Sequence, residues 1–311
     1  MRSLIISCVY ILFSVLLNAQ NPALKNNQVR KIAFTFDDGD TSSYKGFPFE
    51  VWNNNILTTL DKYQLKAILY AHGKNKLNEK GRFILQSWND RGHLIGNHSF
   101  AHKNYSHPKA TFQWFKDDFL KNDSIIRNYS NYVKLYRFPY LKQGETKEKV
   151  DSVQSFFNQL DYKIGHVTVD ASDWYINGRL IKYIESGETE KLEKFKSYYI
   201  KHLYNRAFYY DSLATVFCSK KISHTILLHH NLAAALFLDD LIKFFKAQGW
   251  QIIDADEALK DEFYTKESTL LPSGESLVWS IAREYSNLRK TLRYPAEDGT
   301  YEEVEMDRLG L

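Results

Sequence analysis

Short runs of β-forming residues, separated by segments of helical period, constrain this chain more than any other feature. The first run is Ile32 to Phe36, a helix carrying Ile56, Leu60 and Tyr63 follows, and Ala67 to Ala71 is the second run. A strand, a helix and a strand in that order form a crossover unit, because parallel neighbours need a long connection. Further strands are predicted at His93 to Ile95, Lys134 to Phe138, Ile164 to Val169, Thr225 to Leu228 and Trp250 to Ile253. Apolar stripes at Phe112, Phe115 and Phe119, at Val150, Val153, Phe157 and Leu160, and at Leu238, Leu241, Ile242 and Phe245 mark helices between them, the last stopping at Gly249. Strands and helices in this alternation make an α/β domain with a parallel sheet. Its most economical closure is a (β/α) barrel, with a doubly wound open sheet as the rival.

Two stretches stand outside the alternation. Between Trp174 and His224 lies an insertion, about 175–223, with a charged helix around Glu188 to Asn205 that reads as a solvated rim. Beyond Asp261 a tail, 261–311, mixes aromatic and charged residues and is predicted to wrap the domain surface. At the other end, Arg2 precedes an apolar run from Leu4 to Leu17 and then Asn18, Ala19 and Gln20, the pattern of a signal peptide over 1–19 and hence of export to the periplasm or beyond. The domain itself then covers 20–260. Cys8 falls in the leader, so Cys218 has no partner for an internal disulfide and reads as a packed small apolar residue. Lysine and arginine total 41 against 37 acidic residues, too even a balance to argue for a nucleic-acid partner. No protein partner is implied either.

In a parallel α/β domain the carboxyl ends of the strands gather on one face, so polar residues just past them meet in space. Asp37 and Asp38 follow the first strand, His98 and His102 the third, Arg137 closes the fourth, Asp170 and Asp173 follow the fifth, and His229 the sixth. Each alone is ordinary; together they make a candidate active site. His98 and His102 are four apart in HSFAH, which on one helical turn would aim both imidazoles the same way. With one carboxylate they form a two-His, one-carboxylate set that leaves positions open on zinc or iron. His93, His107, His166 and His224 lack this placement and read as structural or exposed.

KIAFTFDDGD, HSFAH, RFPY, DASDW and ILLHH stand in the order of the NodB homology domain, and over roughly Lys31 to Leu259 the chain resembles the polysaccharide deacetylases, the fourth family of carbohydrate esterases. The resemblance implies a distorted parallel (β/α)7-type barrel and a hydrolase that removes N-acetyl groups from N-acetylglucosamine-type residues of peptidoglycan or a chitin-like polymer. It implies Asp37 as general base, Asp38, His98 and His102 as ligands of one divalent metal, Zn2+ first with Co2+ or Ni2+ also suited, and Arg137 as holder of the base. It further implies an oxyanion contact from the Tyr140 backbone, His229 as general acid oriented by Asp173, Trp174 walling the sugar groove, and Leu228 lining the acetyl pocket. An O-acetyl esterase, a catalytically silent carbohydrate-binding protein and an iron oxygenase are the competing readings. Three positions depart from the family pattern: Asp40 stands where proline is usual, Leu141 where glycine is common, and His230 where an aspartate often sits.

Overall fold

The computed structural model describes residues 29–188, 190–289, 292, 293 and 299–311; the leader expected over 1–19 lies outside them. The strands are β1 (Arg30–Asp38), β2 (Ile68–Ala71), β3 (Leu94–Asn97), β4 (Tyr132–Tyr136), β5 (Lys142–Gly144), β6 (Lys163–Ile164), β7 (Ser223–His229), β8 (Trp250–Ile252) and β9 (Ser273–Gly274). The helices are α1 (Phe49–Lys62), α2 (Glu79–Asp90), α3 (Phe112–Ile126), α4 (Lys147–Leu160), α5 (Asp173–Glu185), α6 (Leu192–Ala214), α7 (Leu232–Ala247), α8 (Ala255–Ala258), α9 (Leu277–Ala282) and α10 (Thr300–Leu309). The main sheet runs β6-β4-β3-β2-β1-β7, with β8 beside the start of β1, and every pairing in it is parallel.

The sheet curls until its edges meet. Val169, past β6, forms a parallel bridge with Ile226 of β7, so a distorted (β/α) barrel results, as the alternation implied. The single strand predicted over Ile164 to Val169 is therefore two pieces. Between them Gly165 passes over the Tyr70 ring, where a Cβ would sit 2.4 Å from the Tyr70 hydroxyl oxygen, and its carbonyl turns to accept a hydrogen bond from Arg137 Nε. Backbone this close to an aromatic ring cannot keep a sheet register.

Alternation along the strands sorts the two faces. Phe34 and Phe36 of β1 and Ile226 and Leu228 of β7 point outward into the main core with Trp52 and Ile56 of α1 and Leu241 and Phe245 of α7. Thr35 and Asp37 point inward, where Arg137 Nη1 donates to both. The inner face thus carries polar residues toward the strand ends above a small apolar cluster that includes Ala33, Ile68 and Tyr70, while the outer face carries the main core.

Two sequence expectations are corrected by packing. The insertion is not a solvated rim: α6 buries Phe195, Tyr199, Leu203, Ala207 and Tyr210 on one stripe, and these belong to the main core. Nor does the tail only wrap the surface. β9 pairs antiparallel with β5, Ser276 Oγ donates to the Thr168 carbonyl, the Leu277 amide donates to Val167, and α9 is buried along its length.

Candidate active site

The site forms where the strands end. Asp37 reaches the barrel mouth by strand alternation, but alternation alone would send Asp38 to the opposite face. Asp38 instead adopts φ 76°, a left-handed conformation that turns it onto the same pocket as Asp37. Of the eight non-glycine residues with positive φ among the described residues, five lie here: Asp38, Ser99, His102, Tyr140 and Leu141. Such conformations cost of order 1–3 kcal/mol each, and persist only where the surroundings enforce them.

The HSFAH segment shows that enforcement. His98 and His102 do not share a helical turn; the segment is a loop, left-handed at Ser99 and His102. It is pinned from beneath by buried side chains, since Asn97 Oδ1 accepts from the Ser99 amide and Asp118 of α3 accepts from the amides of Phe100 and Ala101. Ser99 Oγ accepts from the His102 amide. The two imidazoles converge because of this loop, with ring centroids 4.9 Å apart.

Asp38 Oδ1 lies 3.1 Å from His102 Nε2 and 3.5 Å from His98 Nε2, and it is buried without a hydrogen-bond partner among the described residues. His98 Nδ1 contacts the Arg137 carbonyl at 2.8 Å. A carbonyl only accepts, so Nδ1 carries the proton and Nε2 presents a lone pair. Burial pushes His98 down to about 3, which keeps it neutral. An orphaned carboxylate oxygen facing two imidazole nitrogens, all within 4.8 Å of one another, is a donor set that fits a zinc-type cation.

Arg137, 1% exposed, donates to Asp37 at 2.6 Å. Burial raises the Asp37 carboxyl above its ordinary value, and Arg137 and His229 pull it only part of the way back. Opposite stands His229, Nδ1 2.6 Å from Asp173, whose other oxygen accepts from the His229 amide and from Asn231 Nδ2. Burial opposes charge on His229, yet Asp173, Asp38 and Asp37 outweigh it and push the imidazole up to about 10. One pocket therefore holds a carboxyl paired with an arginine and an imidazolium paired with a second carboxylate.

The pocket has a volume of about 270 Å3. Half-exposed Tyr140 and Trp174 flank its mouth, with the Tyr140 ring 4.9 Å from that of His102. Leu227, not Leu228, lines it: Leu228 is fully buried in the outer core because its strand position has the opposite parity. Leu227 packs with Leu141 and Val167. Asp170 also lines the pocket, and burial together with Glu275 pushes it up to about 6. His72, whose ring lies 5.6 Å from that of His102, was invisible to motif reading because it follows a strand with no companion ligand.

The three departures from the family pattern are structurally coherent. The Asp40 amide donates to the His230 carbonyl, a bond proline could not make, and the Asp40 carboxylate accepts from Ser42 and Tyr44. His230 Nε2 donates to Asn53 Oδ1, and its ring lies tilted against Trp52, centroids 4.8 Å apart. Leu141 holds φ 54°, where glycine would be unstrained.

Residues 25–156 match the family model described as polysaccharide deacetylase, a span that includes Asp37, Asp38, His98, His102, Arg137 and Tyr140. A peptidoglycan-N-acetylglucosamine deacetylase of Bacillus cereus is 29% identical over 145 residues, 46% of this chain and 46% of that protein. One from Listeria monocytogenes is 26% identical over 172 residues, 54% of this chain and 32% of the relative. The chain thus spans less than half the length of these curated relatives. Among solved structures, a mutant peptidoglycan deacetylase from Bacillus subtilis shares 20% identity and a TM-score of 0.51, covering 86% of this chain and 98% of its own. A CE4 family pseudoenzyme from Bacillus anthracis shares 18% identity and a TM-score of 0.51, covering 75% of this chain and 66% of its own. At these identities the structural likeness is one of fold.

Proposed function

Since the chain carries a domain of the polysaccharide deacetylase family, we propose that it hydrolyses the N-acetyl group of an N-acetylglucosamine-type residue in peptidoglycan or a chitin-like glycan, releasing acetate and leaving a free amine. The observation that carries this reading is the pairing of Asp37 with Arg137 and of His229 with Asp173 across one pocket. Amide hydrolysis needs both partners: water must lose a proton as it attacks, and the amine must gain one as it leaves.

A divalent cation, zinc by first preference with cobalt or nickel also suited, would be held by Asp38, His98 and His102 and would supply a Lewis acid that polarises the amide carbonyl and acidifies bound water. Asp37 takes the water proton. Its Oδ1 is fixed by Arg137, which leaves Oδ2, 3.8 Å from His98 Nε2, turned to the reacting centre. His229 holds its proton for the nitrogen, because Nδ1 is committed to Asp173 and Nε2 is the free donor. The Tyr140 backbone is assigned the oxyanion contact, Tyr140 and Trp174 the faces of the sugar, and Leu227 with Leu141 the acetyl methyl. The leader-like first residues support work outside the cytoplasm, and recovery of the unprocessed chain from the cytoplasm would count against it.

The first experiment is acetate release from chitooligosaccharides and from peptidoglycan with added zinc, beside a chelated sample and Asp37→Asn. Metal-dependent release, reduced by roughly 100-fold or more in the variant, supports the reading. Metal binding without release from either polymer would overturn it in favour of O-acetyl esters or a binding role, the state that pseudoenzyme neighbours make concrete.

A further inference from the structure

A second cavity, of about 590 Å3, lies between α6 and α10 and shares no residue with the catalytic pocket. Its floor is built from charge that is nearly removed from water. The Arg206 side chain is 2% exposed and that of Glu302 is fully buried. Glu302 Oε1 accepts from Arg206 Nη2 at 3.3 Å and lies 3.9 Å from Arg293 Nη2. The remaining groups are unmatched: among the described residues, Arg206 Nε and Nη1, Arg293 Nε and also Glu302 Oε2 are buried with no hydrogen-bond partner, so donors without a partner outnumber acceptors there.

Two guanidiniums therefore surround one carboxylate. His202 does not alter the balance, since burial pushes it down to about 3 and keeps it neutral. A buried cation with unmade hydrogen bonds, as at Arg206, is costly unless an anion completes them, and Arg293, whose side chain is 36% exposed, is open to that anion from the cavity side. The arrangement is not explained as core packing. Tyr198, His202 and Arg206 recur every fourth residue on the stripe of α6 that faces the cavity, while Tyr199, Leu203 and Tyr210 fill the core from the opposite side. Lys194 and Lys201 add positive charge at the rim, whereas Arg308 is already paired with Glu305.

The unmade donors sit on planar guanidinium forks, which suit oxyanions through paired N–H contacts. The excess positive charge favours a doubly charged anion over a carboxylate. The cavity also exceeds a bare oxyanion in size, and Tyr198 and Tyr301 supply aromatic walls, with Arg293 4.0 Å from the Tyr301 ring centre. We propose that the cleft between α6 and α10 is a binding site for a phosphate group, either free or borne on a saccharide, with Arg206 and Arg293 as its principal donors.

The test is calorimetric titration of the full chain with inorganic phosphate, glucose 6-phosphate and acetate at constant ionic strength, on wild type, Arg293→Gln and Lys201→Ala. Arg206 is too buried to be the first choice, so these variants keep the test independent of folding, and their melting curves are checked beside it. The expected result is one saturable phosphate site per chain, weakened roughly tenfold or more in Arg293→Gln. Lys201→Ala should show a smaller loss, acetate should bind more weakly than phosphate, and deacetylation should be unchanged in both variants. Tighter binding of glucose 6-phosphate assigns the group to a saccharide and equal binding to the free anion; both uphold the site. Wild-type affinity in Arg293→Gln would place the phosphate elsewhere, as on a metal at Asp38, His98 and His102, and would overturn the proposal. Absence of saturable phosphate binding would do the same.

Discussion

A carbonyl oxygen decides the state of His98. By accepting from Nδ1 it leaves Nε2 free beside Asp38, which prepares that nitrogen for the metal proposed above. His102 is prepared differently, by a loop whose amides are held on Asn97 and Asp118. Asp118→Ala should therefore weaken zinc binding by roughly 10–100-fold without removing a ligand, measured by competition with a chromophoric chelator. Unchanged affinity would mean that the loop holds itself. Asp173 makes a second residue-scale prediction. His229 is raised to about 10 by Asp173, so its charge-dependent stabilisation is complete below the ordinary histidine value near ~6.5 and is lost as pH rises toward the raised one. Asp173→Asn should shift the alkaline limb of the rate profile to lower pH and reduce kcat. A limb that stays in place would remove His229 from the role of acid.

At the scale of elements, the strands were legible because dense β-branched and aromatic runs stand out against helical stripes. The polar residues at their ends followed from topology. The His98–His102 spacing suggests a helical turn because spacing carries no information on φ, and the left-handed residues are enforced by neighbouring Asn97 and by Asp118, distant in sequence. Leu228 was assigned to the pocket through a motif, whereas a count of parity from Asp37 and its partner His229 would have selected Leu227. The burial of helix α6 is hard to read because its charged residues, Glu193, Lys194, Lys196 and Lys201, crowd its first half and mask an aromatic stripe, and Leu203→Ala within that stripe should cost about 2–5 kcal/mol in denaturant unfolding. The same helix carries Asp211, 2% exposed and paired with Arg30 and Lys221 and close to His224. Burial alone would raise Asp211, but these partners hold it well below the usual carboxylate range. Its contribution is present above the unfolded value near ~3.9 and is lost as pH falls toward the depressed one. Asp211→Asn should lower stability by about 2 kcal/mol at neutral pH and flatten the acid limb of a stability–pH curve.

For the whole molecule, the tail is structural to the barrel. Removal of residues 273–311 would strip the Leu277 amide from Val167, the Ser276 hydroxyl from Thr168 and β9 from β5, next to the Val169–Ile226 bridge where the sheet closes. Calorimetry of that truncation should show a broadened, lower transition, and protease should cut first near Gly165 to Thr168. An unaltered transition would show that the barrel closes without the tail. The pairing of β1 with β7 has a consequence of another kind. Asp37 and His229 are partners across two adjacent strands, and the ladder continues beyond them through His230 to the Asp37 carbonyl and Asp40 to the His230 carbonyl. The backbones that carry the two residues proposed as base and acid are thus spaced by the repeat of a hydrogen-bonded sheet, about 4.8 Å from strand to strand. Because Tyr140 lies in the connection from β4 to β5 and Trp174 opens α5, the rim can be lengthened, shortened or recharged without touching the β1–β7 ladder that spaces Asp37 from His229.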